Sequence, residues 1–315
     1  MEDTQQYNFT VKSNIHNYKV YFINDVKITL AKELKDGDFI IIDNNVKELY
    51  TEWFEEALVN FKHIGIDATE SQKSYQEVEP VINTLIEKGF RKNHRLIAIG
   101  GGITQDVTAF IASILYRGVQ WYFFPTTLLA QGDSCIGSKT SINFGKFKNQ
   151  VGGFYPPNKI YVDPKFLESL SFKELQSGLG EMTHYFVVAS EEDFERYSND
   201  YDGALKDKNI LRGLIARSLE IKKSYIEIDE YDKNERQVFN YGHSFGHAIE
   251  SLTNYGIPHG IAISFGMDMS NFVSMKKGYI TAEFRQNSRK LFEKIWYGYA
   301  DQVKGLDINN YLVAL

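Results

Sequence analysis

Residues 96–106, LIAIGGGITQD, carry an apolar strand pattern into three glycines and then into a helical segment that starts without a proline or a bulky residue. That is phosphate-binding architecture. Gly100, Gly101 and Gly102 let the backbone approach a ligand closely, and the first amides of the next helix point at it with the positive end of the helix dipole behind them. A nucleotide is the expected guest. Gly-rich strand-to-helix turns also serve as plain tight corners, so the rest of the chain has to decide.

Upstream of this turn, short β-rich runs alternate with helical stretches: YKVYFI, DFIIID, a helix from about Val46 to Phe61 and another from about Tyr75 to Lys88. Strands flanked by helices predict a largely parallel sheet with ligands at its carboxyl edge, where the glycine turn sits. Downstream come VQWYFFPTTLLAQ and a polar, glycine-containing loop from Gly132 to Gly153, and the strand signal fades after KIYVDP. From about Pro164 the pattern is helical. Ser171 and Glu174 form a capping box, and Leu211–Ile228, Asn240–Leu252 and Ile261–Met275 carry helical apolar spacing. The expected organisation is an α/β Rossmann-like domain over residues 1–163 and an all-α domain over residues 164–315. No internal repeat or low-complexity tract appears.

The 315 residues are 43% hydrophobic, with no apolar run long enough to span a bilayer, so no membrane association is expected. The start, MEDTQQYNFTVKS, has neither a basic beginning nor an apolar core, which predicts a cytoplasmic location. Cys135 is the only cysteine, so neither an internal disulfide nor a cysteine-based zinc cluster can form within one chain, and it reads as a small packed residue. A net charge of −6 argues against nucleic acid as a partner while allowing a concentrated basic pocket for a small anion.

Acids and imidazoles recur at helical spacing in the second half: Glu181 and His184 in GLGEMTHY, His243 and His247 in NYGHSFGHAIE, and His259 in PHG. His243 and His247 share a helix face, and the turn Tyr255–Pro258 can fold His259 back toward it. One carboxylate with two imidazoles leaves an open metal position, the catalytic form of a zinc site. A second set, Arg117, Lys139, Lys146, Lys148, Asn149, Lys222 and Arg236, suits an anion. Lys146 reads equally as a solvated lysine, whereas Lys139 and Lys148 lie in a loop bounded by glycines where donors can surround a phosphate. Asp133, in the same loop, is placed to orient a hydroxyl or accept its proton.

GGGITQD, YRG, PTTLLAQGDSCIGSKT, GKFKN, GLGE and NYGHSFGHAIE, in that order and spacing, resemble the sugar phosphate cyclases, and among them the 3-dehydroquinate synthases, over about Asp43 to Met267. The resemblance implies NAD and a divalent metal, zinc or cobalt, with the active site between two domains, usually in a homodimer. It implies Glu181, His243 and His259 as metal ligands, and Asp43, Glu70, Lys73, Gly101, Gly102, Asp106, Thr126, Thr127, Lys148 and Ser169 as NAD contacts. It further implies Asp133, Lys139, Asn149, Lys222, Arg236 and Asn240 as substrate contacts, His247 beside the substrate phosphate, and Arg117 reaching the partner subunit's substrate. The implied reaction oxidises a ring alcohol of a phosphorylated seven-carbon sugar or sugar acid with NAD+, eliminates phosphate, reduces the ketone again and closes the ring by an aldol step.

The chain departs from the family pattern at several places. His184 stands where the family has a lysine, so a permanent cation becomes a titratable group, counted here with the catalytic residues. Glu181 and His184, three apart, can alternatively face the metal together as a Glu-x-x-His pair. Asp232 replaces a glutamate, Ser138 a glycine and Gln105 a small residue, and the resemblance implies a lysine-rich segment beyond Leu315 with a further phosphate ligand. Arg236 favours a carboxylated substrate; His184 motivates a cyclase for another sugar. An NAD- and metal-dependent polyol dehydrogenase and a noncatalytic descendant are the readings from other classes.

Overall fold

The computed structural model describes residues 4–145 and 147–315, so Lys146 lies outside the described residues. Two compact units follow each other along the chain, residues 1–169 and 170–315.

The first unit is built on nine strands, β1 (Phe9–Val11), β2 (Tyr18–Phe22), β3 (Phe39–Asp43), β4 (Lys62–Ile66), β5 (Arg95–Gly100), β6 (Gln120–Pro125), β7 (Ile142–Phe144), β8 (Phe147–Val151) and β9 (Lys159–Val162). Its helices are α1 (Val26–Glu33), α2 (Asn44–Leu49), α3 (Thr51–Asn60), α4 (Tyr75–Glu87) and α5 (Gly102–Ile114). Seven strands form one sheet in the order β1-β2-β9-β6-β5-β3-β4, parallel throughout except for β1 at the edge, and β7 and β8 pair apart as a hairpin. Every residue of β3 and β5 is buried, as central parallel strands covered on both faces require. Ile40, Ile42, Ile97, Ile99 and Phe124 pack with Val26, Leu30, Val46, Phe54 and Phe166 into one core cluster.

β4 pairs on one side of β3 and β5 on the other, so the direction of winding reverses between β3 and β5. A crevice at the carboxyl ends of such strands is where doubly wound sheets bind ligands. The helix expected over Val46–Phe61 is two helices, broken at Tyr50 (φ −123°, ψ 35°). There the Tyr50 hydroxyl lies 2.9 Å from the Phe166 carbonyl and 2.7 Å from Ser169 Oγ. A tertiary contact turns the chain where local periodicity runs on.

The second unit is helical: α6 (Phe172–Ala189), α7 (Glu191–Ala204), α8 (Lys208–Ile226), α9 (His243–Leu252), α10 (His259–Lys276), α11 (Ala282–Ile295), α12 (Ala300–Lys304) and α13 (Ile308–Ala314). The capping box opens α6: the Ser171 amide donates to Glu174 Oε2 at 2.8 Å, and the Glu174 amide donates to Ser171 Oγ at 3.3 Å. Among the described residues no helix is long and apolar enough to cross a membrane.

Candidate functional site

In the first unit the glycine turn stands at the carboxyl edge of β5. A Cβ on Gly100 would lie 2.3 Å from Thr104 Oγ1 and one on Gly101 2.9 Å from Thr127 Cγ2, so these two glycines close the turn internally. A Cβ on Gly102 meets nothing within 4 Å, which leaves its backbone face open for an incoming group. Thr126, at the end of β6, donates its amide to the Gly100 carbonyl at 2.9 Å, and Thr127 Oγ1 accepts from the Ala130 amide at 3.2 Å. Asp43, at the end of β3, accepts from the Asn45 amide at 2.9 Å, and burial pushes its carboxyl up from the ordinary range. Lys73 Nζ meets Asp106 Oδ2 at 2.5 Å; burial raises the Asp106 carboxyl to about 6 against the pull of that lysine.

Asp133 lies in a π-helical turn, Ala130–Ser134, a form that recurs at functional positions. Lys139 is exposed beyond it, and Lys148 and Asn149 project from β8. Arg117 does not join this group. It ends the turn after α5, at the amino edge of the sheet and a full helix length from Gly102, and Tyr116 and Arg117 both hold left-handed backbone (φ 51° and 64°).

In the second unit three helices bring the predicted ligands to one point. Glu181 (α6) is 4% exposed, its Oε1 3.6 Å from His243 Nε2 (α9) and its Oε2 3.3 Å from His259 Nε2 (α10). Glycines next to these ligands let the helices touch backbone to backbone. A Cβ on Gly260 would lie 1.9 Å from the Ser177 carbonyl, one on Gly180 2.4 Å from the Gly260 carbonyl, and one on Gly266 2.0 Å from the Gly242 carbonyl. The turn before α10 folds back through left-handed Asn254 and Tyr255 (φ 48° and 60°). Burial works to raise Glu181, but His259 and His243 hold it well below the usual carboxylate range; burial works to lower His259, but Glu181 and Glu250 hold it well above the usual imidazole range.

These residues fit a divalent metal. Ligand bonds of about 2.1 Å arranged tetrahedrally separate neighbouring donor atoms by about 3.4 Å, which is the spacing found around Glu181. Glu181 Oε2 is buried without hydrogen-bond alignment, and Glu250 lies 3.1 Å from His259 Nδ1 with both carboxylate oxygens, the outer-shell contact that orients a ligating imidazole. His247 also offers a nitrogen: those of His243, His247 and His259 lie within 4.8 Å of one another. Its side chain, however, is 60% exposed.

His184 is 2% exposed, its ring against Tyr185 (3.9 Å between centroids) and Phe239, with Nδ1 3.8 Å from Glu181 Oε1. Lys222 is buried on α8 with its ammonium 5.8 Å from the Tyr185 ring centroid. Arg236 and Asn240 occupy the short 3-10 turn Glu235–Asn240 before α9, Arg236 buried and donating to the Glu230 carbonyl at 2.8 Å, Asn240 exposed. Asp229 ties this loop down by accepting from the amides of Lys233 (3.0 Å), Asn234 (2.7 Å) and Arg236 (3.2 Å), and those backbone donors lower its pKa. Sequence reasoning missed Glu250 and Asp229. Glu250 was findable, three residues after His247 on the same helix; Asp229 had no local signal.

The sequence matches the family described as 3-dehydroquinate synthase N-terminal over residues 63–177 and that described as 3-dehydroquinate synthase C-terminal over residues 178–314. It is 32% identical over 299 residues to a 3-dehydroquinate synthase of Clostridium tetani, covering 94% of this chain and 79% of that protein. The chain belongs to the 3-dehydroquinate synthase family. Among solved structures, 2-epi-5-epi-valiolone synthase from Streptomyces hygroscopicus subsp. jinggangensis, with NAD+ and Zn2+ bound, is 25% identical with a TM-score of 0.81, covering 95% of this chain and 85% of that one. A 2-deoxy-scyllo-inosose synthase complexed with carbaglucose-6-phosphate, NAD+ and Co2+ shares the fold, with a TM-score of 0.86 at 23% identity over 98% of this chain and 86% of that one.

Proposed function

We propose that this member of the 3-dehydroquinate synthase family is a carbocycle-forming lyase acting on a heptulosonate 7-phosphate, by oxidation of a ring alcohol, elimination of phosphate, re-reduction and intramolecular aldol closure. The observation that carries the reading is the convergence of Glu181, His243 and His259, backed by Glu250, in a chain that also has an open glycine turn at the end of β5. NAD+ supplies a hydride acceptor that returns what it takes, and a divalent ion, zinc or cobalt, supplies a Lewis acid for the substrate oxygens. Glu181, His243 and His259 hold the ion. Asp43, Glu70, Lys73, Gly101, Gly102, Asp106, Thr126, Thr127, Lys148 and Ser169 hold the dinucleotide.

Lys139, Asn149, Lys222, Asn240 and His247 neutralise and orient the phosphate and hydroxyls, and Arg236 takes the substrate carboxylate. Asp133 orients a hydroxyl or accepts its proton; oxidation acidifies the neighbouring C–H, and the departing phosphate accepts that proton, so few protein bases are required. His184, buried against Tyr185 and Phe239, holds Glu181 from beside it. The enzyme works as a cytoplasmic homodimer in which Arg117 reaches the partner's substrate, in keeping with its place away from its own unit's glycine turn.

Phosphate release is measured with NAD+ and zinc, comparing 3-deoxy-arabino-heptulosonate 7-phosphate with sedoheptulose 7-phosphate while the NADH band is followed. Release from the first without lasting NADH is expected. Preference for the second sugar means a cyclase for a sugar phosphate without a carboxylate, as the burial of His184 would suit. Net NADH accumulation means a dehydrogenase, and NAD binding without release from either means a noncatalytic chain.

A further inference from the structure

Asn143 is a residue of β7 with 7% exposure, and it is bonded in three directions. Its amide donates to the Lys73 carbonyl at 2.8 Å. Its Nδ2 donates to Glu70 Oε1 at 2.7 Å and to the Glu70 carbonyl at 3.3 Å, and its Oδ1 accepts from the Asn149 amide at 2.9 Å. Asn149 has left-handed backbone (φ 56°), a region that asparagine enters more readily than most side chains, and the Asn143 Oδ1 contact fixes its amide there. Lys148 Nζ lies 3.9 Å from the same Glu70 Oε1 that accepts from Asn143, and Lys73 is the residue paired with Asp106. Asn143 thus joins the segment after β4 to β8 through its carboxamide, and to Lys73, the partner of Asp106 in α5, through its backbone amide.

We propose that Asn143 is a positioning residue through which a dinucleotide seated on Glu70, Lys73 and Lys148 sets the conformation of the β7–β8 hairpin, so that cofactor binding prearranges Asn149 for a phosphorylated substrate. It rests on the cofactor and substrate roles given above. A carboxamide suits the task because it donates to an acid with one atom and accepts from an amide with the other. Asn143→Asp keeps the shape, the acceptor and the backbone bond to Lys73 but sets a carboxylate against Glu70, breaking only the Glu70 arm. Adding Glu70→Gln restores a donor and acceptor there with polarity reversed.

Hydrogen exchange of residues 69–73, 100–106 and 142–151 is measured with and without NAD+ in the full chain, together with steady-state kinetics. In the wild type NAD+ slows exchange in all three segments. In Asn143→Asp, protection of 100–106 persists, protection of 142–151 is lost, and KM for the sugar phosphate rises by about tenfold with kcat within about twofold, the size expected for one lost hydrogen bond to a charged group. Asn143→Asp combined with Glu70→Gln regains protection of the hairpin. Hairpin protection by NAD+ that is equal in wild type and Asn143→Asp overturns the proposal, as does a wild type in which NAD+ protects 69–73 but not 142–151. A wild type that binds no NAD+ overturns the functional reading and the coupling with it.

Discussion

Glycine does opposite work in the two units. In the first unit Gly102 faces open space, with nothing within 4 Å of where a Cβ would stand, and the absence of a side chain leaves room for a ligand. In the second unit Gly260 and Gly266 face the carbonyls of Ser177 and Gly242 at 1.9 and 2.0 Å from that point, and the absence of a side chain leaves room for another helix. The first site is a backbone site, made locally by consecutive residues at one strand end. The second is a side-chain site whose proposed ligands lie far apart in sequence and meet because glycines let α6, α9 and α10 close in. A dinucleotide turn can therefore be read from a short stretch, whereas a metal centre of this kind is a property of packing.

Methyl groups added to each glycine break that comparison most directly. Gly260→Ala drives a methyl into helix backbone that cannot yield cheaply, so thermal unfolding should show a loss of several kcal/mol, or no folded second unit at all. Gly102→Ala, at the first residue of α5 with no left-handed backbone, should leave the melting temperature unchanged or slightly raised while weakening NAD+ binding in a calorimetric titration. Equal behaviour of the two variants in both assays would erase the distinction.

Charge changes sharpen it. Glu250→Gln keeps a partner for His259 Nδ1 but removes the negative charge, and metal affinity by competition with a chelator should fall by about 10–100-fold with the fold intact. The pH dependence follows from the same contacts. His259, held well above the usual imidazole range by Glu181 and Glu250, must lose its proton before it can ligate. Apparent metal affinity should therefore rise with pH through neutrality and flatten once His259 is neutral. The smallest effect is expected in the first unit: Asp106, raised from 3.8 to about 6 by burial, favours the folded state in its protonated form, so its contribution is fully present below pH 3.8 and fades as pH rises through about 6. Asp106→Asn should flatten that part of the stability profile in denaturant titrations between pH 4 and 7.

Central strands were the most legible part of the chain. FIIID and LIAIG are continuous apolar runs because both faces of a central parallel strand are covered. β4, KHIGI, sits at the sheet edge half exposed and shows no such run, and β8, exposed along nearly its whole length, reads as a loop. Tyr50 splits one apparent helix into two because Phe166 and Ser169, more than a hundred residues later, receive its hydroxyl. For the site, residue types announced a carboxylate and imidazoles, and the fold-back of His259 was readable from the turn before it. The role of Asn143 was not, since Glu70 and Lys73 lie far from it in sequence and only the folded chain brings them near.

The structure offers two overlapping ligand sets: Glu181 with His243 and His259, and His243 with His247 and His259. Cobalt titration of the wild type, Glu181→Gln and His247→Ala near neutral pH, followed by the visible d–d bands, separates them. One tightly bound ion in the wild type and in His247→Ala, with binding abolished in Glu181→Gln, is the predicted result; an ion kept by Glu181→Gln and lost by His247→Ala would contradict it.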